Sequence, residues 1–199
     1  WWTPIPFSFP IPEKKVALLT QIEGLKIDPV IIKELKIVAR KLEESGWVVE
    51  EPKAPNFQEA ANYQATLWLG EFRRTGGEAI SRENDPDANF IYSQMSKRCP
   101  DTSIEKFMDS LQHRARISRE WNKFFDQYPV ILCPITGDIP FPDLKDLESE
   151  ESFDLVFDSM LPLIAPPYMG LPGLSFATSQ TKQKIPLGVQ FISRKFRED

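Results

Sequence analysis

The sequence predicts an α/β fold built on a mixed central sheet, and three observations carry that prediction. The runs Lys15 to Thr20, Trp47 to Glu50 and Val130 to Ile135 are largely apolar, as strands covered on both faces must be. Stretches of helical period stand between them, so strand, helix and strand follow one another closely enough to form a βαβ unit with parallel strands and a right-handed crossover. Near the end of the chain, Leu174 to Thr178 and Leu187 to Ser193 are two apolar runs joined by a polar, Lys- and Gln-rich connection, with Gly and Pro leading into each run. That is the signature of an antiparallel hairpin. Two strands are not stable alone in water, so the hairpin needs a sheet to join and helices to cover it.

Residues 1–14 hold a Pro every few positions with Trp1, Trp2, Phe7 and Phe9 between them. Such a stretch can neither coil into a helix nor ladder, so it reads as an extended arm pressed on a surface. Asp28 is a candidate N-cap with Pro29 at the first helical position; Ile31, Ile32, Leu35, Val38, Ala39 and Leu42 then recur at helical spacing until Gly46. Asn56 followed by Glu59 reads as a capping box opening a helix through Phe72 to the Gly76-Gly77 break. A further helix is expected from Asn89 to Arg98. A long one follows from Ser103, with Ile104, Phe107, Met108, Leu111, Ala115, Trp121, Phe124, Phe125 and Tyr128 in helical period until Pro129. Gly137 to Ser152 is Pro-rich and then acidic, and reads as a surface loop. Phe153 to Ala165 reads as a helix that Pro162 shortens and Pro166-Pro167 end.

Of the 199 residues, 24 are basic and 29 acidic, a formal charge of −5, and the two signs are mixed along the chain. That distribution does not track a phosphate backbone, which argues against a nucleic-acid partner. No apolar run approaches the ~18 residues of a membrane span, so no membrane partner is expected either. Two cysteines, Cys99 and Cys133, make no disulfide framework and no CxxC metal site, and point to a reducing, cytoplasmic setting. The 18 prolines are about twice average usage, but large apolar residues are interleaved with them. The chain is expected to form one domain over residues 1–199, with residues 1–14 as its arm.

Three segments resemble the amidase signature family. Gly170 to Asp199, GLPGLSFATSQTKQKIPLGVQFISRKFRED, is similar to its C-terminal turn, strand and charged end; Glu120 to Pro142, EWNKFFDQYPVILCPITGDIPFP, to its helix entering an apolar Cys-Pro strand; and Val16 to Glu51 to its βαβ unit. Pro129 stands where that family often has Asp. The resemblance implies hydrolysis of a carboxamide through an acyl-Ser intermediate, without metal or cofactor. It also implies a Ser nucleophile, a second Ser that relays its proton, and a neutral buried Lys as base on a glycine-rich segment. No Gly-Gly-Ser-Ser-Gly-Gly or close variant occurs in the sequence; its one Gly-Gly, Gly76-Gly77, has no adjoining Ser pair.

Local substitutes for that machinery read as structural. Ser175 opens a strand and lacks the following glycine of a nucleophile elbow. Cys133 lies in an apolar strand, where a thiol is inert. His113, the sole histidine, sits on the long helix between Gln112 and Arg114 without an acidic or nucleophilic partner at helical spacing. The carboxylate pairs Glu43-Glu44 and Glu50-Glu51 and the run Glu148 to Glu151 would need burial to act as general acids. No catalytic, cofactor-binding or metal residue is therefore assigned. The expectation is the C-terminal portion of an amidase, with the catalytic portion of the parent as its partner and the amide substrate bound by the whole. With that partner gone, residues 1–9 and 166–172 are expected to lie exposed and either to drive self-association or to be locally disordered. The alternative is a non-catalytic α/β domain that binds a partner through the aromatic arm.

Overall fold

In the computed structural model, residues 13–100 and 103–197 are described. The arm predicted over residues 1–14 lies outside them, except for Glu13 and Lys14. Among the described residues five strands form one mixed sheet: β1 (Lys15–Leu18), β2 (Val48–Glu50), β3 (Val130–Pro134), β4 (Gly173–Gln180) and β5 (Pro186–Ser193), in the order β2-β1-β3-β5-β4. β1 runs parallel to both β2 and β3, whereas β5 is antiparallel to β3 and to β4. The predicted βαβ unit and hairpin are both present.

Among the described residues seven α-helices cover the sheet: α1 (Pro29–Glu44), α2 (Phe57–Thr75), α3 (Gly77–Glu83), α4 (Pro86–Arg98), α5 (Ile104–Gln127), α6 (Glu150–Ser159) and α7 (Leu161–Met169). Side chains of a strand alternate between its two faces, and the two cores follow that alternation. Val16 and Leu18, with Leu132 and Val189, pack on Ile31, Leu35 and Val38 of α1. Ala17, Leu19, Ile131 and Cys133 face the other way, onto α2, α5 and α7 through Phe57, Trp121, Ile164 and Tyr168. Each fully buried aliphatic side chain contributes about 1.5–3 kcal/mol, so β1 is stabilised from both sides.

The ends of α1 show how local chemistry sets an element. The Asp28 carboxylate accepts from the Val30 N–H at 2.6 Å. At the other end Gly46 adopts φ +82°, its N–H donating to Glu43 O and the Trp47 N–H to Leu42 O. That pair is a Schellman closure, and its left-handed residue favours glycine. At α2 the Asn56 side chain accepts from the Glu59 N–H at 2.9 Å, but the Glu59 carboxylate pairs with Arg116 of α5 instead of folding back to close the box.

Four expectations change. α4 begins at Pro86, not Asn89, because Asp85 caps it through the Asp87 and Ala88 N–H groups, the same Asp-Pro start as α1. The loop expected over Gly137 to Ser152 ends early: Ser149 accepts from the Ser152 N–H and α6 starts at Glu150, where acidic residues favour the positive end of a helix. The single helix expected over Phe153 to Ala165 is two helices, broken at Met160, and the second continues through Pro166 and Pro167. Pro166 has no N–H for the Pro162 carbonyl four residues back. The buried Gln190 of β5 satisfies that carbonyl instead, its Nε2 donating to Pro162 O at 3.2 Å and to Pro134 O at 3.0 Å. Residues 166–172 are consequently not an exposed patch: Pro166, Tyr168 and Met169 are buried in this chain's own core.

Candidate functional site

In open sheets with parallel strands, ligands bind in the crevice beyond the strands' carboxyl ends. Here β3 runs out into the loop Ile135 to Pro142, and that loop is held on both sides. The Asp28 N–H donates to Gly137 O at 2.8 Å, and the Gly137 N–H donates to Ser159 O at 2.7 Å. A Cβ on Gly137 would lie 2.5 Å from the Lys26 carbonyl oxygen, so only glycine fits this clasp. Thr136 Oγ1 donates to Asp138 O, and the Asp138 carboxylate accepts from the Ile139 N–H, each at 2.8 Å. The loop is thus a shaped surface.

Between this loop, the end of α6 and the β4–β5 hairpin lies a cavity of about 500 Å³, with Ile139, Phe141, Met160, Phe176 and Leu187 among its walls. Gly188 lets the hairpin close beside it, since a Cβ there would stand 2.7 Å from the Phe176 carbonyl oxygen. The cavity has the size and largely apolar lining of a pocket for the body of a small molecule. Polar groups at its edge are engaged locally: the Ser159 hydroxyl donates to Val156 O.

The structure brings Ser175 to this cavity and gathers no catalytic group around it. Ser175 lies exposed on the outer strand β4, opposite Gln190, and no base reaches it among the described residues. Cys133 is fully buried, and desolvation pushes its thiol up to about 12, far from a reactive thiolate. His113 stacks on Tyr63 with ring centroids 4.9 Å apart, and Tyr63 stacks in turn on Tyr168, whose hydroxyl donates to Ser110 O. This column ties α5, α2 and α7 together. The three candidates lie on separate elements and share no site.

Glu50, Glu51, Glu148, Glu150 and Glu151 are equally committed. Glu50 is bound by Lys15 and by the Tyr128 hydroxyl, and these hydrogen bonds hold its carboxyl below the usual value and raise Lys15. Glu51 accepts from Thr20 Oγ1, Glu148 pairs with Lys145, and Glu150 pairs with Lys97. Glu151 is lowered by a backbone hydrogen bond and by Ser149 at the start of α6. A general acid needs the opposite shift. Among the described residues no group of three or more His, Cys, Asp or Glu could hold a metal ion, and no helix is long and apolar enough to cross a membrane. The arrangement can bind and orient an apolar group; it has no described nucleophile with a base.

The chain is similar to known proteins. A family model described as Amidase matches residues 11–199. The indoleacetamide hydrolase of Bradyrhizobium diazoefficiens is 27% identical over 202 residues, covering 100% of this chain and 38% of the relative. The indoleacetamide hydrolase of Bradyrhizobium japonicum is 27% identical over 203 residues, covering 100% of this chain and 43% of the relative. Among solved structures, 6-aminohexanoate cyclic dimer hydrolase superposes with a TM-score of 0.72 at 15% identity, over 92% of this chain and 42% of that one. The chain therefore spans about two-fifths of the length of the relatives it matches.

Proposed function

The chain belongs to the amidase family, and from that premise we propose that it is the C-terminal, non-catalytic portion of an amidase signature hydrolase. The whole protein hydrolyses a carboxamide through an acyl-Ser intermediate, without metal or cofactor, and its nucleophile and base lie in the part this chain does not contain. One observation carries the reading: the family match runs through 11–199, yet the same stretch is only 38% of the Bradyrhizobium diazoefficiens indoleacetamide hydrolase it resembles.

In that protein this portion has two tasks. It builds a wall of the substrate pocket from the β3 loop and the hairpin, and it presents docking surfaces to the catalytic portion. Two surfaces suit the second task. Among the described residues β4 is the last strand of the sheet and its outer edge pairs with no strand, with Leu174 63% exposed. The first half of α5 turns Ile104, Met108 and Leu111 outward at helical spacing, 70%, 50% and 43% exposed. The experiment is to compare this chain with the product of its full reading frame on simple aryl and alkyl amides. Turnover is expected from the full product and none from the chain alone. Turnover by the chain that disappears in Ser175→Ala or Cys133→Ala would overturn the reading.

A further inference from the structure

Gly76-Gly77 stood out in the sequence and belongs to no nucleophile segment; in the structure it builds a second cavity, remote in the chain from the β3 loop. The pair joins α2 to α3 and leaves room for two rings. A Cβ on Gly76 would lie 2.6 Å from Phe72 Cε2, and one on Gly77 3.2 Å from the Tyr92 hydroxyl. With that room, Phe72 of α2 meets Tyr92 of α4 edge to face at 5.5 Å. Between α2, α3 and α4 opens a pocket of about 620 Å³, walled by those rings with Trp68, Ile91 and Met95. Phe72 and Trp68 remain 36% and 41% exposed, so the pocket communicates with solvent.

The charge of the pocket narrows its ligand. Glu71 is the one charged group among the described residues that line it, and its carboxylate has no ion-pair partner among the described residues. Aromatic faces attract cations through the negative face of the ring, most strongly for Trp, and a carboxylate at the rim adds attraction of the same sign. A neutral apolar molecule uses only the rings, and an anion meets repulsion from Glu71. We propose that the α2–α4 pocket is a binding site for a small arylalkylammonium ion, its ring among Phe72, Tyr92 and Trp68 and its ammonium toward Glu71.

Three molecules that share one ring test this in the 199-residue chain: 1-naphthylmethylammonium, 1-naphthalenemethanol and 1-naphthaleneacetate. Methyl NMR of Ile80, Ile91 and Met95 reports on the pocket directly and requires no turnover, so the outcome is independent of the amidase reading. The ammonium is expected to shift these methyls saturably and to bind several-fold more tightly than the alcohol, with the acetate weakest. Glu71→Gln, on the exposed side of α2, should leave the fold intact and erase the preference for the ammonium. Gly76→Ala should displace the Phe72 ring and weaken all three; the conclusion does not depend on that variant, because Glu71→Gln tests the charge separately. Absence of saturable shifts at the three methyls, equal binding of ammonium and alcohol, or a preference that survives Glu71→Gln each overturns the proposal.

Discussion

Cys133 lies at the middle of the sheet with its thiol against the Gln190 amide, and burial raises its pKa from 9.0 to about 12. The folded chain therefore keeps this proton at pH values where the unfolded chain has lost it. Stability from this group is fully present below the unfolded value and declines above it, because the unfolded state then binds fewer protons. The slope reaches about 1.4 kcal/mol per pH unit. Urea unfolding between pH 9.0 and the 10.0 at which an ordinary tyrosine titrates should show this decline, and Cys133→Ala should make it shallower, the remainder belonging to Tyr168, which burial also raises. A slope unchanged in that variant would assign the titration to another group. The same burial explains why this cysteine is a packing residue: an apolar strand signals it in the sequence, and the ladder on both sides completes it.

At the scale of elements, α7 is the instructive case. Two prolines inside a helix of nine residues contradict the local rule, and the carbonyl that Pro166 leaves without its helical donor is met from elsewhere by Gln190. Replacing Gln190 with Leu leaves the Pro162 and Pro134 carbonyls buried without a donor, which should cost roughly 2–4 kcal/mol. Pro166→Ala restores an N–H facing Pro162 O. In that background the cost of Gln190→Leu should fall by roughly 1–2 kcal/mol, a coupling measurable in a double-mutant cycle by urea unfolding. Strict additivity of the two substitutions would show that Gln190 does not stand in for the missing helical bond. α5 makes a complementary point. Its apolar period is continuous in the sequence, but Ile117, Trp121 and Phe125 are buried, whereas in the first half Ser110 is buried and Leu111 exposed. Periodicity finds the helix and not which turns acquire a neighbour.

Across the whole molecule, the surfaces that suit a larger assembly are the β4 edge and the outer stripe of α5; of the sequence-based expectation, residues 1–9 lie outside the described residues, and within 166–172 Pro166, Tyr168 and Met169 are buried in the chain's own core. Exposed apolar stripes and free edges favour association. Sedimentation velocity of the isolated chain should show concentration-dependent self-association, and the pair Ile104→Glu with Met108→Glu should shift it toward monomer without lowering the urea midpoint, since both side chains are already in solvent. A monomer at all concentrations would remove α5 as a docking surface.

Legible in the sequence alone were the α/β class, the parallel βαβ unit, the C-terminal hairpin, the starts of α1, α2 and α5, and the amidase family. Each rests on short-range chemistry: caps such as Asp28, Asn56 and Ser103, the positive φ of Gly46, and apolar runs that alternate onto two cores. The sequence also indicated that Ser175, Cys133 and His113 form no constellation, because each stands in a pattern that already accounts for it. The tertiary structure alone decided that α7 persists through two prolines, that Gly137 is clasped between Asp28 and Ser159, and that Gly76-Gly77 makes room for an aromatic pocket. Those outcomes depend on donors, carbonyls and rings supplied by other elements. No local pattern encodes a partner that only folding brings within reach.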